Sequence, residues 1–123
     1  MPISGDNQTN WFHKDYQYLK VKPEGIKNLK RNYSQVWQDV FALVVNDAKV
    51  DGTFLEIGGA QPFIGNNTWL LEEGYNWRGL SIELDNNLCD MWKGYRPNTK
   101  LFEADALEFD YVKAVDDLGL PRH

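Results

Sequence analysis

Three acidic residues in this sequence stand where short apolar runs end: Glu56 within TFLEI, Glu83 after GLSI, and Asp105 just past KLFEA. A carboxylate accepts two hydrogen bonds at once, which suits it to sugar hydroxyls. Gly58, Gly59 and Ala60 follow the first run, where glycines let the backbone turn tightly and let a ligand approach without side-chain obstruction. Glu83 lies 25 residues beyond Gly58, near the interval at which an acidic side chain meets ribose hydroxyls in nucleotide folds. Asp105 and the small Ala106 after it offer a side-chain acceptor and adjacent backbone groups for an adenine edge. Taken singly, a glycine pair is most often a plain turn, and Glu83 or Asp105 a solvated strand end. Their joint placement on three successive strands is what points to a nucleotide-type ligand.

The elements that must position these residues are legible from periodicity. Residues 1–33 show no sustained period and read as an irregular or partly helical extension without a catalytic constellation. From Ser34, the spacing of Trp37, Val40, Phe41, Val44 and Ala48 predicts a helix with one buried face, ending near Lys49. Asp51 and Gly52 supply a turn, and 53–57 predicts a first strand buried on both faces. GGAQPFIG is a loop; Asn66 or Asn67 caps a helix running through Glu73, with Gly74 ending it. A second strand over 79–84, a short helix over 86–93, a third strand over 100–103 and a helix over 109–118 complete the series. Strands alternating with helices imply right-handed crossovers and a parallel sheet, so that 34–123 reads as a partial Rossmann-like α/β domain.

Composition narrows the function classes. The net charge of -5 argues against nucleic acid as a partner, although residues 1–33 hold six Lys/Arg against three Asp/Glu and the rest seven against fifteen. The single Cys89 forms no internal disulfide and no Cys/His cluster has metal spacing, so no metal is expected and the cytoplasm is the expected compartment. No apolar stretch reaches the roughly 18 residues of a membrane span, so no membrane partner is expected. His13 and His123 have no sequence partner that would make them a base or ligand. The tryptophans read as core residues, with Trp11 left open, and Gln38 and Asp39 as either a polar helix face or an entrance to the site.

The loop discriminates between ligands. A dinucleotide fold wants glycines at the first, third and sixth positions, but counting from Gly58 the third and sixth hold Ala60 and Phe63. A ligand without phosphates, carrying ribose, adenine, a sulfonium and an amino group, suits a carboxylate-lined cleft better. S-adenosylmethionine has that chemistry. Asn67, with Asn66 and Thr68, stands at a helix start where it could meet the carboxylate of such a ligand or simply cap.

SQVWQD at 34–39, FLEIGGAQPFIGNNT at 54–68, LLEEGYNWRGLSIE at 70–83 and DALEFDY at 105–111 together resemble FkbM-type methyltransferases, over residues 34–118. The resemblance implies a class I methyltransferase fold with Glu56, Gly58, Gly59 and Ala60 in the first cofactor loop, Glu83 near ribose and Asp105 near adenine. It also implies methyl transfer from S-adenosylmethionine to an oxygen nucleophile on a small acceptor such as a sugar or natural-product hydroxyl. Two departures stand out: Gln61 and Pro62 replace the family's small acidic or amide residue and glycine, and the family would continue past Pro121 into a fourth strand. The chain is therefore expected to be an N-terminal, cofactor-binding fragment, inactive alone, with strand 53–57 as an exposed edge that pairs with another chain. A non-catalytic nucleotide-binding or docking module and a nicotinamide-dependent oxidoreductase are the alternatives, the latter disfavoured by Ala60 and Phe63.

Overall fold

The structure, a computed structural model, describes residues 22–29 and 31–121. The readings of Trp11, His13 and His123 lie outside the described residues, as does most of the 1–33 extension. Three strands, β1 (Thr53–Ile57), β2 (Arg78–Glu83) and β3 (Thr99–Glu103), form one parallel sheet in the order β1-β2-β3. Helix α1 (Gln38–Val45) precedes β1, α2 (Trp69–Tyr75) and α3 (Asn86–Asp90) make the two crossovers, and α4 (Tyr111–Asp117) follows β3. The protein is thus α/β, with helices on both faces of a parallel sheet.

Register assigns the faces. Phe54 pairs with Gly79, which pairs with Thr99, and Glu56 pairs with Ser81, so these residues share one side. Leu55 with Leu80, and Ile57 with Ile82 and Phe102, share the other. On the Phe54 side, α1 and α2 close over Ile26, Tyr33, Val40, Leu43, Ala48, Leu70, Leu71 and Trp77. On the other side, α4 places Ala114 against Leu80 and Ile82, with Phe102 and Phe109 around them. Each fully buried Leu or Ile contributes about 1.5–3 kcal/mol. Ile26 and Tyr33, on the extension side of the boundary drawn at 33/34, belong to the first of these cores. Gly79 is obligatory at its register position, because an added Cβ would sit 2.2 Å from the Phe54 carbonyl oxygen.

Several expectations shift for identifiable reasons. Helix α1 begins at Gln38, not at residue 34, because Ser34 and Asp39 cap each other first. Ser34 Oγ accepts from Asp39 N at 3.0 Å, while the Asp39 carboxylate accepts from Tyr33 N and Ser34 N at 2.8 and 3.1 Å. The entry bend puts Trp37 at φ 70, rotating the helix so that Leu43 is fully buried and Phe41, expected inside, is 68% exposed. The helix also ends at Val45, short of Lys49. Gly74, expected to end α2, lies within it; Asn76, at φ 56, terminates it instead. Strand β1 keeps its expected bounds but is not buried on both faces. Only Glu56 is buried, while Leu55 and Ile57 are 45% and 61% exposed, because α4 packs on β2 and β3 and leaves that side of β1 uncovered. The remaining elements differ by shifts at their ends: β2 and β3 each begin one residue early, and α3 gives way to turns at Met91. Among the described residues no helix is long and apolar enough to cross a membrane.

Candidate functional site

Beyond β1 the chain crosses the end of β2. Gly58 N and Gly59 N both donate to the Ile82 carbonyl, at 2.8 and 3.0 Å. Gly58 has φ 74, a conformation that disfavours any side chain, and open space lies where its Cβ would be. Gly59 is glycine for a different reason: a Cβ there would lie 3.0 Å from the Trp92 ring and 3.3 Å from Ser81 Cβ. Ala60 follows at φ 51 and donates its N–H to Glu83 Oε1 at 2.8 Å. The other oxygen of Glu83 accepts from Asp85 N at 2.9 Å, so the carboxylate is clamped at the end of β2 by one amide on each oxygen. Each oxygen retains a further lone pair for a ligand.

The sequence-nominated residues therefore divide into groups. Gly58, Gly59, Ala60 and Glu83 come together at the ends of β1 and β2. Asp105 is exposed one strand over, its carboxylate accepting from Leu107 N at 2.9 Å, and Ala104 N joins that end to β2 through the Glu83 carbonyl at 3.1 Å. The Ala106 carbonyl accepts from Tyr111 Oη at 2.6 Å, which fixes the turn after Asp105. Asn67 is exposed, and it is Asn66 that caps α2, its Oδ1 accepting from Thr68 N and Trp69 N at 2.8 and 2.9 Å.

Glu56 lies beneath the turn in a buried polar layer between the sheet and α2. Its Oε1 accepts from Ser81 Oγ at 2.6 Å and Thr68 Oγ1 at 3.2 Å. Burial pushes its carboxyl above the ordinary range, against the hydrogen bond from Ser81 and the nearby charge of Arg96. That Arg96 is the centre of the layer. Its Nε donates to Glu72 Oε1 at 2.6 Å, and its other nitrogens reach Pro62 O, Asn66 Oδ1, Thr68 Oγ1 and Thr99 Oγ1. The guanidinium lies 5.2 Å from the Trp69 ring centre and 4.6 Å from that of Trp92. Desolvation lowers the Arg96 pKa, opposed by Glu72. Sequence reading missed this residue, since an arginine within GYRPNT looks like a solvated loop. The one available signal was Glu72, a charge four residues after Thr68 and adjacent to the buried Leu71, which demands a cationic partner.

A separate open hollow of about 620 Å³ lies between residues 25–29, 31–33 and α2, lined by Tyr33, Trp69, Glu73 and Tyr75 among others. Tyr33 Oη donates to Glu73 there at 3.1 Å, and burial, then Glu73, push the Tyr33 pKa up to about 12. None of the carboxylates at the strand ends lines this hollow. Among the described residues no group of three or more His, Cys, Asp or Glu side chains could hold a metal ion. Comparisons with protein-family models, with curated proteins and with solved structures give no match to this chain.

Proposed function

We propose that the strand ends bind S-adenosylmethionine and that the chain is the cofactor-binding part of an FkbM-type methyltransferase acting on a sugar or natural-product hydroxyl. The observation that carries the reading is the Glu83 carboxylate, clamped by Ala60 N and Asp85 N beside the open side of Gly58. A carboxylate fixed with unused lone pairs suits a ribose diol, and the side-chain-free backbone at Gly58 leaves room for the rest of the donor. A phosphate-bearing ligand is less well served. The first amides of α2, which would cradle a pyrophosphate, already donate to Asn66 Oδ1. Catalysis in such an enzyme rests on aligning the acceptor oxygen with the methyl group, and the acceptor's own binding residues are not assigned.

The test is calorimetry of the purified chain with S-adenosylhomocysteine and with NAD. Glu83→Ala should weaken S-adenosylhomocysteine binding by roughly ten- to a hundredfold, the size of one or two charge-assisted hydrogen bonds. Binding of NAD alone, or an unchanged affinity in Glu83→Ala, refutes the cofactor assignment. The exposed apolar side of β1, at Leu55 and Ile57, favours a second reading: a non-catalytic module whose edge strand pairs with another chain. Absence of S-adenosylhomocysteine binding, together with self-association that Ile57→Lys abolishes, would support that reading over the first.

A further inference from the structure

We infer that Trp92 and Arg96 are positioning residues that shape the 58–60 turn from behind, away from its ligand side. The inference rests on the proposed reading only in taking that turn as the donor site. Ala60 holds a left-handed conformation at φ 51, which a residue with a Cβ keeps only when its surroundings over-determine it. Those surroundings grip four consecutive carbonyls. The Gly59 and Gln61 carbonyls accept from Asn66 Nδ2 at 3.1 and 2.9 Å, the Ala60 carbonyl from Trp92 Nε1 at 2.7 Å, and the Pro62 carbonyl from an Arg96 guanidinium nitrogen at 2.8 Å. Held along its carbonyl side, the loop turns the Ala60 amide toward Glu83.

The grip is itself fixed. The buried Trp92 ring would lie 3.0 Å from a Cβ at residue 59, and the Arg96 guanidinium lies 4.6 Å from the ring centre. Arg96 also donates to Asn66 Oδ1 at 3.3 Å, so it orients both other donors. The planar fork of arginine serves this task, since lysine carries the charge but not the geometry.

Two variants of the full chain test the idea. Trp92→Phe keeps an aromatic side chain but deletes the N–H to Ala60 and the outer edge of the indole that faces Gly59; Arg96→Lys keeps the charge and loses the fork. In both, the Ala60 amide proton should move upfield from the position set by its carboxylate acceptor and exchange roughly fivefold faster, the factor of one ordinary hydrogen bond. Leu80 and Ile82 amide protons in Trp92→Phe should keep their wild-type chemical shifts. S-adenosylhomocysteine affinity should fall about as much, roughly fivefold, with Trp92→Phe still folded and melting cooperatively at a lower midpoint. An Ala60 amide that stays put in both variants overturns the inference, as do shifts of equal size at Leu80 and Ile82. If the wild type does not bind S-adenosylhomocysteine while the Ala60 amide responds as described, the donor reading fails and the positioning role stands.

Discussion

Replacing Arg96 with Met removes a cation whose side chain is 1% exposed from a Glu72 that is 3% exposed. The Glu72 carboxylate keeps its bonds from Thr99 Oγ1 and Asn98 N but loses its counter-charge in a region without water access. Breaking a buried ion pair from one side costs about 3–5 kcal/mol, because the surviving charge stays desolvated. The Pro62 carbonyl and the Thr68 and Thr99 hydroxyls lose their shared donor as well, which places Arg96→Met toward the upper end. With a urea dependence of about 1–3 kcal/mol per molar, the unfolding midpoint should fall by roughly 2 M. Trp69 and Trp92 flank the guanidinium, so tryptophan fluorescence reads the transition at the site of the change. The decisive comparison is the cycle with Glu72→Met. Once both members of the pair are gone neither leaves the other's charge buried alone, and the double variant should be more stable than the sum of the singles predicts by about 2 kcal/mol or more. A cost below about 1 kcal/mol for Arg96→Met, or strict additivity in the cycle, would refute the account of the buried layer.

Two further outcomes follow from single residues. The raised pKa of Glu56 means that the folded state holds its proton more readily than the unfolded chain, so stability is fully present below the ordinary Glu range and declines as pH rises through the raised value. Glu56→Gln should therefore melt higher than wild type near neutral pH and lose that advantage as the pH approaches about 4; a gap independent of pH would contradict this. Gly79→Ala should lower the thermal midpoint sharply, since its Cβ meets a backbone oxygen, and adding Phe54→Ala should not restore it; full rescue would place the clash in the Phe54 ring instead.

The fold was readable wherever one periodicity acted alone. Strand β1 falls at the bounds that the apolar run and its flanking glycines imply, and β2 and β3 differ from expectation by a residue at one or both ends. Errors arose where a side chain overrode the local pattern. Asp39 reaches back to Tyr33 and Ser34 and delays α1, and the bend at Trp37 turns Phe41 outward although its spacing matched that of Val40. Gly74 looked like a helix stop because glycine is common there, yet Asn76 reaches the left-handed region and ends the helix two residues later. Of the candidate site, the turn and Glu83 were legible because strand ends converge by topology. Glu56 was assigned to the same surface, but the strand's alternation points it to the buried face it shares with Ser81. Arg96 was invisible, since apart from Thr99 three residues on, its partners lie far away in sequence, with the charged one on α2 and others on the loop after β1.

The chemistry of that buried layer also sets a timetable for synthesis. β1, β2 and β3 are neighbours in the order in which they leave the ribosome, so the first parallel pair could in principle form as soon as β2 emerges. At that moment Glu56 and Glu72 are outside the exit tunnel while Arg96 is still within it. Closing α2 onto the sheet at that stage would bury two carboxylates with no cation between them, a cost that is relieved once residue 96 is clear of the exit tunnel. The arginine thus links three parts of the chain, the loop after β1, α2 and the start of β3, so that the loop gains its full set of partners only when the third strand is in place.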